Sequence, residues 1–178
     1  EVNGYKLDDQ CYGANLRRVS STLKQLPAGW DGKQGNPAVT RELLDSWRTS
    51  TPEDMCADVA KRLTTWKTTG GPVWDAVHLA AGELSMRTQG SAKIVGIHSV
   101  SSVNGLRHAY SVSKTPEMRY LLLLQAAGWM GQFRSYADKR ESLRQFNITQ
   151  LEPSAVKVTT DEAIVEIFGG ISAKRGAF

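Results

Sequence analysis

The stretch Lys93-Ile94-Val95-Gly96-Ile97-His98-Ser99-Val100-Ser101-Ser102-Val103-Asn104-Gly105-Leu106-Arg107-His108-Ala109-Tyr110-Ser111 decides the fold. Its first half has enough β-branched residues, in partial alternation, to pass for a strand. The apolar set Val95, Val100, Val103 and Leu106 continues beyond strand length, which predicts a helix from about Lys93 to Ser111. With that segment helical, no good strand candidate is left.

Outward from it, helix starts recur at Asn36-Pro37, Thr51-Pro52-Glu53-Asp54, Thr115-Pro116-Glu117 and Thr160-Asp161-Glu162. Each places a side-chain acceptor at the N-cap. Three then put proline at the first helical position, where its missing N–H costs nothing, and acidic side chains follow where the helix dipole favours them. Gly71-Pro72 opens another apolar stretch in the same way. Leu16, Val19, Leu23 and Leu26 step by three and four, as do Met55, Val59 and Leu63, and Tyr120, Leu124 and Ala127. The breaks at 27–35, 68–72, 88–91 and 152–154 read as short loops. Together these predict an all-α protein of about seven helices, with residues 1–178 forming one compact helical domain.

Composition agrees. The 178 residues suffice for one domain with a core of its own, and 40% apolar with 22% charged residues excludes disordered and disulfide-framework classes. A net charge of +4 is too small to indicate a nucleic-acid binder. The basic run Arg134, Lys139, Arg140 and Arg144, interleaved with Tyr136 and Phe146, is broken by Asp138 and Glu141 and reads better as a solvated helix face. The longest wholly apolar run is Leu121 to Leu124, too short to cross a bilayer. Cys11 and Cys56 form no CxxC motif; they are either a disulfide closing a long loop or two unpaired, partly buried thiols. Asn147-Ile148-Thr149 matches a glycosylation acceptor, a triplet that also arises by chance. GxGxxG, GxxxxGK[ST] and GxSxG are all absent, which removes support for dinucleotide, P-loop and α/β-hydrolase chemistry.

The three histidines, His78, His98 and His108, fall within thirty-one residues on two consecutive segments. Trp74, Asp75, His78 and Gly82 share one helical face, so Asp75 can reach His78, fix its tautomer and raise its basicity. Asp75 and His78 are therefore the candidate catalytic pair. His98, Ser102 and Gly105 form a stripe, with His108 about 80° round from His98. Three imidazoles also meet the minimum donor count for a catalytic zinc or copper ion. His78, His98 and His108 are the expected metal ligands, and His98 and His108 would alternatively hold a haem or other cofactor. Small residues (Ala76, Ala80, Ala81 and Gly82; Gly96, Ser99, Ser101, Ser102 and Gly105) leave room for a flat ligand between the segments, or simply pack them tightly.

The blocks Val73-Trp74-Asp75-Ala76-Val77-His78-Leu79-Ala80-Ala81-Gly82-Glu83-Leu84, Gly96-Ile97-His98-Ser99 through Asn104, and Leu121 to Phe133 resemble a family of exported bacterial all-helical proteins of unassigned activity. More remotely, they are similar to questin-oxidase-like proteins. The resemblance covers about residues 72–134, with an echo around Leu151 to Ser172. It implies an all-helical fold with His78 and His98 lining a pocket, and an exported, periplasmic location; the alternative location is cytoplasmic. Family members continue into a segment with a further histidine, so a second segment or a second polypeptide would complete the site.

Two functions from different classes follow as expectations. One is a metal- or haem-dependent oxidoreductase whose histidine-lined cleft lies between the segments around His78 and His98. The other is a non-enzymatic helical interaction subunit of a larger complex, with Trp47, Trp66, Trp74, Trp129 and Tyr120 supplying exposed aromatic surface.

Overall fold

The structure, a computed structural model, describes residues 11–141, 143–151 and 159–172. The chain runs through α1 (Tyr12–Thr22), α2 (Pro37–Trp47), α3 (Pro52–Thr64), α4 (Gly70–Arg87), α5 (Lys93–Val112), α6 (Pro116–Arg140) and α7 (Thr160–Ser172), with short 3-10 turns at Leu23–Gln25, Gly90–Ala92 and Ile148–Gln150. The all-α expectation holds, and the ambiguous stretch forms the single helix α5.

Local chemistry sets the boundaries. Asn36 Oδ1 accepts from the Val39 N–H at 3.3 Å, Thr51 Oγ1 from Asp54 at 3.1 Å and Thr115 Oγ1 from Met118 at 3.4 Å. Each relieves one of the four unpaired amides at a helix start. At α7 the capping residue is Thr159, one position before the expected Thr160, and the Glu162 carboxylate accepts from its N–H at 2.9 Å and its hydroxyl at 2.8 Å. The helix α4 starts at Gly70, two residues before Pro72, with no side-chain cap. The break expected at 152–154 lies outside the described residues.

The central helix is α6, against which α1, α3, α4 and α5 all pack; α2 covers the other side of α4. Tyr120, Leu123, Leu124, Ala126, Ala127, Met130 and Phe133 of α6 are buried, as are Leu43, Met55, Val59, Leu63, Val73, Val77 and Val103 around it. The stripe Tyr120, Leu124, Ala127 is thus core, as its spacing implies. Leu16 and Val100, expected on apolar faces, are exposed, because Val19 and Val103 take the inward positions.

The aromatic set expected at the surface divides. Tyr120, Trp47 and Trp74 are buried and Trp129 is partly covered, leaving Trp66 exposed at 51%. Tyr120 meets Trp30 edge-on at 5.7 Å and its hydroxyl lies 3.0 Å from Thr22 Oγ1, which itself donates to the Arg18 carbonyl. Arg134 donates to the Ser50 carbonyl and Arg144 joins Gln89, so both ends of the basic run serve the fold.

Candidate functional site

Trp74, Asp75 and His78 sit on the second and third turns of α4, which the loop at 27–35 anchors: Gly70 N–H donates to the Trp30 carbonyl at 2.6 Å and Gly71 N–H to Gly32 at 2.9 Å. Buried Trp74 stacks edge-on with Tyr110 and leaves Asp75 and His78 on the outer surface of α4. His78 Nδ1 lies 2.8 Å from the Trp74 carbonyl, so the ring donates there, and in the neutral ring this leaves Nε2 as the acceptor. The partner of Nδ1 is a backbone oxygen four residues back, and not Asp75 as the sequence suggests.

Asp75 and His78 do share a recess. It has a volume of about 590 Å³, lies between α2, α4 and the segment 148–151, and adds Arg41 together with apolar walls from Pro37, Leu79 and Leu151. The size suits a small molecule, and a carboxylate, an imidazole and a guanidinium are among the groups that line this open recess.

His98 and His108 do not line this recess. Both are exposed on α5, which faces α4 from its other flank. Where α4 meets α5 the seam is shut. A Cβ placed on Gly96 would lie 2.5 Å from Thr88 Oγ1 and 3.0 Å from Ser85 Cα, and Ser99 Oγ reaches the Ala81 carbonyl at 3.5 Å. The small residues there serve close approach of two backbones. Gly82 and Gly105, by contrast, face open space. Among the described residues no three side chains of His, Cys, Asp or Glu are grouped to hold a metal.

A different polar cluster is built on the next turn of α4. Glu83, 4% exposed, is gripped by Arg48 through Nε–Oε1 at 3.0 Å and Nη2–Oε2 at 2.7 Å, with Arg87 at 3.7 Å. The Ile148 N–H donates to the same carboxylate at 3.0 Å, and Asn147 Oδ1 accepts from Arg48 at 2.6 Å. Burial pushes the Glu83 carboxyl up, but the Arg48 hydrogen bonds, the Ile148 amide and the two guanidiniums outweigh it and hold the group below the usual carboxylate range. Arg144 and Arg87 exchange backbone and side-chain hydrogen bonds at 2.8 and 3.1 Å, and so bring Asn147 and Ile148 to this point. The Asn147 side chain is partly buried and committed to Arg48 and to Thr149, as a cap for the turn at Ile148–Gln150.

No helix is long and apolar enough to cross a membrane among the described residues. Comparison of the chain with family models, curated proteins and solved structures finds no match, so the reading of its function rests on its own geometry.

Proposed function

We propose that the chain is a non-enzymatic helical interaction subunit in which α7 of one copy lies on the outer face of α5 of another. The carrying observation is apolar exposure on both helices. In α7, Ile164, Val165 and Phe168 are 49%, 72% and 65% exposed; on α5, Ile94 and Ile97 are 47% and 60% exposed, with Val112 at 60%. Side chains of this kind in succession on a helix ordinarily face a partner.

Charge favours a second copy as that partner. The helix α7 contains Asp161, Glu162 and Glu166 and no basic residue, whereas α5 contains no carboxylate and the exposed Lys93 and Lys114 stand at its two ends. An acidic apolar helix and a basic apolar face are complementary, and such pairing steers association. Among the described residues these side chains stay exposed within one chain, and the pairing proposed is between molecules.

Light scattering on the purified chain tests this. The expected mass exceeds one 19.5 kDa chain. It returns to one chain in the double variant Val165→Asp, Phe168→Asp, whose circular dichroism stays helical, and it falls as salt is raised. A wild-type chain that remains at the mass of one copy at about 100 µM, far above the Kd of a specific interface, contradicts the reading.

The recess at Asp75 and His78 supports a second reading. Metal- or haem-dependent oxidoreductase chemistry would start there, with His78 Nε2 as ligand or base beside Asp75 and Arg41, and with His98 and His108 outside it. An elemental scan and a visible spectrum of the purified protein, before and after His78→Ala, decide it. Bound metal or chromophore lost in the variant favours this reading; neither present in the wild type counts against it.

A further inference from the structure

Cys11 immediately precedes α1 and Cys56 lies in α3, yet their side chains meet over α6. Both are buried, at 2% and 0% exposure, and both are thiols. The residue beneath them is Gly128. A Cβ placed there would lie 2.9 Å from Cys56 Sγ and 3.1 Å from both Cβ and Sγ of Cys11. The two sulfurs therefore crowd one point above the helix, close enough for the thiols to hydrogen-bond each other. Around them Asn15 Nδ2 donates to Cys56 Sγ at 3.4 Å and to Gln125 Oε1 at 2.7 Å, and the Cys56 thiol reaches the Leu124 carbonyl at 3.3 Å. Asn15 is fully buried, so this polar group is sealed from water.

We propose that Cys11 and Cys56 are a reversible dithiol–disulfide pair that pins the start of α1 to α3 across Gly128. The oxidant is a low-molecular-weight disulfide of the glutathione class. One cysteine thiolate, its proton lost to solvent, attacks a sulfur of the small disulfide; a protein–glutathione S–S bond forms and one glutathione leaves as thiolate. The second cysteine, likewise deprotonated, attacks the protein sulfur of that mixed bond and expels the second glutathione. Both leaving thiolates take up the released protons. Two protein thiols are oxidised to one disulfide and one glutathione disulfide is reduced to two thiols.

The surroundings set the rate. The Cys11 contact and burial push the Cys56 thiol far up, so little thiolate exists in the closed structure. Exchange proceeds when the start of α1 opens. Gly128, which has no side chain, leaves the space in which the sulfurs meet.

Incubation of the native chain with oxidised glutathione, followed by peptide mapping without reduction, tests the pair. The expected product is an intrachain Cys11–Cys56 cross-link, lighter than the dithiol by about 2 Da. Its melting midpoint should be higher by about 10 °C, since the bond closes a long loop in the unfolded chain, and reductant should reverse both changes. Cys11→Ser and Cys56→Ser should each show no oxidant-induced rise. The wild-type map decides the matter even where a variant folds poorly. Two unreacted cysteines after prolonged incubation, glutathione on each cysteine, or a cross-link only between chains would overturn the proposal.

Discussion

Replacing Tyr120 by alanine is expected to lower stability by about 4 kcal/mol, the cost of removing a buried aromatic ring together with the cavity it leaves. Tyr120 is fully buried at the crossing of α1, α6 and the loop bearing Trp30, so the surrounding helices cannot readily collapse into the space. Tyr120→Phe separates the ring from its hydroxyl. Thr22 keeps its own bond to the Arg18 carbonyl, so losing the phenol should cost only about 1 kcal/mol. Urea titration of both variants checks the split. Near-equal losses would show that the hydroxyl, not the ring, is the stabilising element. Trp66→Ala, by contrast, should change little: the ring is half exposed and its contacts are the cations of Lys61 and Arg62.

Glu83→Ala should cost about 3 kcal/mol, because it removes the buried carboxylate that Arg48 and Arg87 share, leaves Arg48 only the exposed Asp45 as counter-charge, and leaves the Ile148 N–H without its acceptor. For a chain of this size that is a fall of roughly 6–12 °C in melting midpoint. The same carboxyl gives a pH dependence whose sign follows from its depressed folded value. The folded state binds this proton less readily than the unfolded chain, where the group titrates near 4.5. The contribution is therefore fully present above that value and is lost as pH falls through the lower folded one. Melting measured from neutral pH downward should show a steeper acid limb in the wild type than in Glu83→Gln. Parallel acid limbs, or an alanine variant melting within a degree of the wild type, would mean that the Arg48–Glu83 contact does not anchor α2 to α4.

The helices are legible in the sequence because their signals are local. Asn36, Thr51 and Thr115 each cap the turn that follows within three residues, and proline after each prevents an earlier start. The helix α5 is legible for a different reason: its apolar residues outrun a strand. What a period cannot say is which face turns inward. His98 and His108 are related to each other by the helix, but their exposure is decided by Gly96, Ser99 and Val103, which α5 buries instead. Small size and close approach outweigh the burial of a ring.

The Glu83 cluster is hidden from sequence for a further reason. Arg48 lies 35 residues away and Asn147 is 99 residues from Arg48, and only the packing of α2 and the return of the chain at 143–151 bring them together. The cysteines are intermediate. Their two alternative states can be stated from composition, but that the thiols meet depends on a glycine in a third helix.

The contact between copies is tested most directly by mixing chains of natural and heavy nitrogen isotope and joining carboxylates to lysines with a zero-length carbodiimide. The account predicts cross-linked peptides in which Asp161, Glu162 or Glu166 from one isotope is bonded to Lys93 or Lys114 from the other. Cross-links from α7 found only within single-isotope chains, or none to Lys93 or Lys114 at all, would contradict it.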